Sequence, residues 1–211
     1  MKITVYSDFV CPFCFLGKQT LHEAVKDKDV EIEWKPFELR PEGTQPLSPK
    51  SQYIQQGWKM SVKPLADRLG VKMMLPEMDP HPRTQKTHEG FQFAKERGKG
   101  KEYVEAVFQA FWQEGKDIGN VDVLASIAEE VGLEREKFTE ALQNGEYAQA
   151  HQVELQHAYR EANVTAVPTI IIGNRKLQGV QPKEVLEQVI AEQSTGHDDH
   201  SGQACGIDAC E

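Results

Sequence analysis

Apolar and polar residues alternate at the start of the chain, through Ile3-Thr4-Val5-Tyr6. The spacing then lengthens to three or four through Phe13, Leu16, Leu21, Ala24 and Val25. The first period is that of a strand and the second that of one face of a helix. Alternation returns where Val30, Ile32 and Trp34 are set between Glu31, Glu33 and Lys35, which predicts a second strand. A strand–helix–strand unit over residues 2 to about 40 predicts two parallel strands joined by a right-handed crossover.

From about residue 48 to 150 the strand signal vanishes. Ser48-Pro49 reads as a helix cap with proline in the first turn, opening a helix that bends near Pro64. Residues 73–82 are proline-rich and irregular. Helical spacing then recurs through Phe91 and Ala94, through Tyr103, Val107, Phe108, Phe111 and Trp112, and through Leu124, Ile127, Ala128 and Val131. Phe138 and Leu142 close the series. The aromatic run from Tyr103 to Trp112 has two readings, a ligand groove or core, and core is the reading preferred here.

A helix over Tyr147 to Asn163 is followed by Thr169-Ile170-Ile171-Ile172, a Gly173-Asn174 turn and Lys176-Leu177-Gln178, the pattern of a two-residue hairpin. Pro182 opens a last helix through Val185, Leu186, Val189 and Ile190. The division expected is an α/β core from residues 1–45 and 146–193, an all-helical insertion over 46–145, and a flexible polar tail over 194–211.

Composition narrows the function classes. The 211 residues carry 24 Lys and Arg against 33 Asp and Glu, a net charge of −9, with no basic stripe of the kind that tracks phosphates, so nucleic acid is not an expected partner. No apolar run approaches the ~20 residues of a membrane helix, and no membrane partner is expected. The segment after Lys2 is too short for a secretory apolar region of about 7–15 residues. A cytoplasmic protein is expected, whose four cysteines are reduced and chemical rather than structural. No phosphate-binding glycine loop or paired-carboxylate motif occurs, and no cofactor is expected.

The four cysteines form two tight pairs, 11/14 and 205/210. Cys11-Pro12-Phe13-Cys14 falls between the first strand, expected to end in Ser7-Asp8-Phe9-Val10, and the first helix. Cys11 then sits at a helix N-terminus, where unpaired N–H groups and the macrodipole favour a thiolate. Cys14, on the same helical face, can close a disulfide onto it. Two ordinary cysteines, or half of a zinc site, are the alternatives, and the strand-then-helix context favours a redox dithiol.

These residues, with Pro36-Phe37-Glu38-Leu39-Arg40-Pro41, the helical insertion, and Ala166-Val167-Pro168-Thr169 before a hairpin, resemble the DsbA-like thioredoxin-fold oxidoreductases, and within them the FrnE-type cytoplasmic branch. The resemblance covers residues 1 to about 193, and the terminal Cys-x4-Cys also looks like that branch. It implies a thioredoxin-like fold (βαβ…ββα) with a large helical insertion. It implies a cis peptide before Pro168, packed against the cysteines, and a backbone at Val167 that pairs with substrate as an added strand. Phe13 stands where the well-known periplasmic member has histidine, which implies a less stabilised thiolate and a weaker oxidant. Cys11 and Cys14 are then the catalytic dithiol, and Phe13, Val167 and Pro168 the substrate contacts. The expected partners are unfolded or misoxidised proteins and a small-thiol or thioredoxin-type reductant.

Two rival readings stand beside this one. The kappa-type glutathione transferases and chromene-carboxylate isomerases share the inserted fold but typically carry serine at the position of Cys11. A metal-binding sensor is the other, because His197, His200, Cys205 and Cys210 are zinc-type ligands at an uncommon spacing. Cys205 and Cys210 are read as an auxiliary redox pair, against a metal site or a passive tail. His22, His88, His151 and His157 are read as structural, and no resident metal is expected.

Overall fold

The computed structural model of the protein describes residues 1–195. Strand β1 (Lys2–Ser7), helix α1 (Pro12–Val25) and strand β2 (Glu31–Pro36) form the first unit. The insertion runs through α2 (Gln52–Gly57), a π-turn (Trp58–Val62), α3 (Lys63–Arg68), α4 (Gln85–Glu96), α5 (Gly100–Trp112), α6 (Val121–Glu130) and α7 (Arg135–Asn144). Helix α8 (Ala148–Arg160), strands β3 (Thr169–Ile172) and β4 (Arg175–Gln178), and helix α9 (Lys183–Thr195) complete the chain.

The sheet has the order β2-β1-β3-β4. Strands β1 and β2 are parallel, with Ile3 opposite Ile32 and Val5 opposite Trp34, and β3 is antiparallel to β1, with Ile170 opposite Val5. This is the α/β, thioredoxin-like architecture expected from the sequence. The pleat sends successive side chains to opposite faces. Tyr6 meets α8, where its hydroxyl is 3.2 Å from His157 Nδ1, while Trp34, on the other face, meets His22 of α1. Helix α1 packs against α9.

One buried cluster runs from Ile3 and Val5 through Phe9 and Phe108 to Phe138 and Leu142, so the insertion shares its core with the sheet layer. The aromatic run of α5 is core as expected: Tyr103, Phe108, Phe111 and Trp112 are all buried. Gly90 lets α4 close on its neighbours, since a Cβ there would lie 2.7 Å from Phe138 Cζ.

The second helix differs from expectation at its start. It begins at Gln52, not behind Ser48, because Ser51 is the cap, its hydroxyl accepting from the Ile54 amide at 3.4 Å. The expected irregularity at Pro64 is a π-turn just before it, in which the Lys63 amide donates to the Trp58 carbonyl. Proline lacks an N–H, so the helix loses its regular ladder there.

Candidate active site

Strand β1 hands the chain to a turn at residues 8–10, and α1 follows. The strand was expected to reach Val10 but ends at Ser7. Beyond that point the ladder is replaced by side-chain bonds. Asp8 Oδ2 accepts from the Leu39 amide at 2.7 Å, and Trp112 Nε1 donates to the Phe9 carbonyl at 2.9 Å. The Cys11 amide donates to the Asp8 carbonyl at 3.1 Å, and the Cys11 carbonyl accepts from Cys14 at 3.1 Å and Phe15 at 3.3 Å. Cys11 is therefore the N-cap residue, in extended backbone, with Pro12 opening the helix. The missing proline N–H removes no helical bond at that position.

Both cysteines are free and buried, Cys11 4% and Cys14 1% exposed. The Cys11 thiol donates to the Val167 carbonyl at 3.6 Å, a contact between residues 156 positions apart. The Val167–Pro168 peptide is cis, as the resemblance implied. The Val167 N–H donates to nothing among the described residues. Pro168 does not reach the open face but packs against α1, where Gly17 leaves room for its ring. Burial pushes the Cys14 thiol well up from its ordinary range, and the Cys11 sulfur beside it adds to the rise. The Ser7 hydroxyl and the Asp8 backbone, which face Cys14, pull the other way. Cys14 is thus held as a thiol in the reduced protein.

A cavity of about 560 Å³ opens beside Cys11, between the first turn of α1, the Val167 loop and the helices of the insertion. Phe13 and Val167 line it with Cys11, as do Arg40, Trp58 and Trp112. The two indoles stack, with ring centres 6.4 Å apart and planes 6° from parallel.

The model of the DSBA-like thioredoxin domain family matches residues 2–191. The chain belongs to this family. Among curated proteins, this DSBA-like chain is 49% identical over 194 residues to the uncharacterized protein YwbO of Bacillus subtilis, covering 92% of this chain and 97% of that one. It is 24% identical over 199 residues to a 2-hydroxychromene-2-carboxylate isomerase of Pseudomonas putida, covering 90% and 94%. Among solved structures it resembles a probable DsbA oxidoreductase from Streptomyces coelicolor, with a TM-score of 0.80, 22% identity and coverage of 100% and 98%.

Behind the cysteines of the DSBA-like core lies a buried polar group that the sequence did not reveal. Asp8, Glu38, His88 and His151 are each 4% exposed or less. His151 Nε2 is 2.5 Å from Glu38 Oε1, His88 Nε2 is 3.7 Å from Asp8 Oδ1, and the two imidazoles stack with centres 5.3 Å apart. Asp8 Oδ1, His88 Nε2 and His151 Nδ1 have no hydrogen-bond partner among the described residues. Reading these histidines singly as structural therefore missed their pairing. The only available signal was their place on the apolar faces of α4 and α8, which names no partner. Among the described residues, no cluster of three or more His, Cys, Asp and Glu could hold a metal ion. Cys205, Cys210, His197 and His200 lie outside the described residues.

Proposed function

We propose that the protein catalyses thiol–disulfide exchange through Cys11 and Cys14. The observation that carries this reading is the contact of the Cys11 thiol with the Val167 carbonyl, beside a Val167 N–H that has no partner among the described residues. A disulfide-bearing segment laid along Val167 can pair with that free backbone while its sulfur meets Cys11. Cys11 as thiolate attacks one substrate sulfur, the substrate S–S bond breaks, and the departing sulfur leaves with the electron pair. Cys14 then loses its proton to solvent and attacks Cys11, releasing the second substrate thiol. One substrate disulfide has become two thiols and the dithiol one disulfide.

Cys11 is assigned the attack because it lines the cavity, whereas Cys14 is fully enclosed and kept protonated. Phe13 and Val167 supply apolar contact for an unfolded or misoxidised chain, and Pro168 holds the loop against α1. The work proposed is reductive or isomerising, in the cytoplasm, with a small thiol or a thioredoxin-type protein returning the pair to the dithiol. Cys205 and Cys210 are proposed as an auxiliary pair. Four residues between them close only a small loop, which stabilises a fold little. Deleting residues 195–211 is expected to change turnover more than melting temperature.

The deciding experiment is trapping. Cys14→Ser should accumulate a mixed disulfide at Cys11 with a protein substrate carrying scrambled disulfides, and Cys11→Ser should accumulate none. Mixed disulfide found on Cys14 in the second variant would reverse the assignment. A second reading, isomerisation of a small aromatic carboxylate in the manner of the chromene-carboxylate isomerases and kappa-type transferases, is favoured by the relative of that name and by the size of the cavity. Glutathione-dependent turnover that survives loss of Cys14 would support it.

A further inference from the structure

The cavity beside Cys11 reaches beyond the Val167 loop to Arg40, Trp58 and Leu75. Its volume, about 560 Å³, lies within the roughly 300–1,000 Å³ typical of small-molecule sites. Trp58 is the half-buried indole of the lining, and Trp112, 1% exposed, backs it in a stack within 6° of parallel. Planar rings pack on an aromatic face in an offset stack. Leu39, Leu47 and Leu75 make further lining apolar.

Charge in the cavity is one-sided. The lining contains no Asp or Glu, and Arg40 is its one Lys or Arg. Arg40 is exposed and its side chain makes no ion pair or hydrogen bond among the described residues. Its neighbour Arg83, by contrast, is committed to the carbonyls of Arg40, Pro41 and Thr44. His81 is the other titratable nitrogen of the lining, and its Nε2 is 3.1 Å from the Pro76 carbonyl. Burial lowers its imidazole from the ordinary range, so it adds no second cation at neutral pH. An unpaired guanidinium in a protein of net charge −9 is a ready partner for a carboxylate, which it can hold through two parallel bonds.

We infer that the small-molecule partner exchanging with Cys11 is a flat, apolar thiol or disulfide that carries a carboxylate, seated against Trp58 with its carboxylate on Arg40. This inference rests on the exchange reading of Cys11. For a disulfide of this class, Cys11 thiolate attacks one sulfur and one aryl thiolate leaves. Cys14, after losing its proton to solvent, then expels the second from Cys11. The protein ends with one disulfide and the partner as two thiols.

The test is the single-turnover reaction of the reduced protein with three disulfides. They are 5,5′-dithiobis(2-nitrobenzoate), flat and carboxylated; 4,4′-dithiodipyridine, flat and uncharged; and hydroxyethyl disulfide, neither flat nor charged. Arg40→Gln should slow the first by at least about tenfold, the ordinary worth of a charge-assisted bond, and change the second by less than about twofold. Trp58→Ala should weaken both aromatic reagents and leave the third unchanged. Arg40→Gln lowering all three equally, or none, overturns the inference while leaving exchange at Cys11 intact.

Binding of 1-naphthoate, followed by tryptophan fluorescence, separates the two readings because it needs no sulfur. Naphthoate binding that is lost in Arg40→Gln and kept in Cys11→Ser supports the ligand class. It does so even where no disulfide reacts at Cys11, the result that would remove the exchange reading. Naphthoate that fails to bind the parent protein counts against the site.

Discussion

Gly17, three residues after Cys14, lies directly under the ring of Pro168: a Cβ on Gly17 would stand 3.2 Å from Pro168 Cγ and 3.8 Å from Val180 Cα. Helix α1 therefore carries the cysteines on its first turn and the seat of the Val167 loop on its second. The distance is tighter than ordinary van der Waals contact, so even one methyl group must displace the proline or the helix.

Gly17→Val should consequently cost about 1–3 kcal/mol through overpacking, only partly offset by removing a glycine from a helix interior. It should also slow exchange at Cys11, because the Val167 carbonyl moves with Pro168. Urea denaturation and the rate of a small-disulfide reaction measure the two effects. A stability loss with an unchanged rate would show that the loop yields without moving Val167.

The buried Glu38–His151 contact should be costly to break from one side. Glu38→Ala leaves His151 Nε2 without its partner in a site where both residues are 4% exposed or less. The expected loss is about 1–3 kcal/mol, the usual result of leaving a buried polar group without its partner. Glu38→Gln, which keeps an acceptor, should lose less. His88 and His151 share one stack, so their double variant should be non-additive in a denaturation cycle.

Much of this arrangement was legible in the sequence where the information is local. The Cys11–Cys14 spacing, the proline in the first helical turn and the Gly173-Asn174 hairpin all lie within a few residues of one another, and periodicity reports such neighbours directly. Val167 was placed beside Cys11 by family resemblance, not by pattern. Arg40, Trp58 and the His88–His151 stack were not foreseen. Each acquires its meaning from a residue tens of positions away, and a single buried histidine or tryptophan looks the same whether it faces a leucine or a partner. The strand end at Ser7 was misread for a similar reason. Asp8 and Phe9 look extended locally, yet Leu39 and Trp112 claim their polar atoms.

Trp112 has two duties that a conservative change can separate. Its indole N–H donates to the Phe9 carbonyl at 2.9 Å, and its ring stacks on Trp58. Trp112→Phe keeps an aromatic ring but leaves a buried carbonyl unpaired, at about 1–3 kcal/mol. The loss should appear in thermal unfolding. Because the turn before Cys11 depends on that bond, mapping alkylation of the reduced variant should also show faster modification at Cys11 than in the parent.

The pH dependence of the reduced form follows from Cys14. Burial raises its thiol in the folded protein above the value in the unfolded chain, ordinarily about 8.5. The folded state therefore binds the proton more tightly. Its stabilising contribution is whole below pH ~8.5 and lost as pH climbs beyond it, with a slope of up to about 1.4 kcal/mol per pH unit. Denaturation of the reduced protein between pH 7 and 10 should steepen accordingly, and Cys14→Ala should flatten the curve. A parent and variant that fall in parallel would assign the loss to other groups.

Tyr159 offers a spectroscopic check on the same region. Its hydroxyl donates to the Glu38 carbonyl at 2.9 Å. Burial, with the Glu38 carboxylate adding to it, pushes its phenol up to about 12. Ultraviolet titration should show a tyrosinate step near that pH that vanishes in Tyr159→Phe. A step at the ordinary value near 10 would mean the phenol is open to solvent and free of Glu38.

The separation of 156 positions between Cys11 and Val167 also sets the order in which the protein can be made. Strand β1 meets β2 within the first 36 residues, but its other neighbour, β3, begins only at Thr169. Contacts of such sequence separation form late, because the intervening chain must first be closed into a loop. A chain still emerging from the ribosome thus carries both cysteines before the Val167 carbonyl, the Pro168 ring or the helices around the cavity exist to enclose them. The thiols that the finished protein buries are open to premature oxidation during synthesis, and the insertion fixes how long that interval lasts.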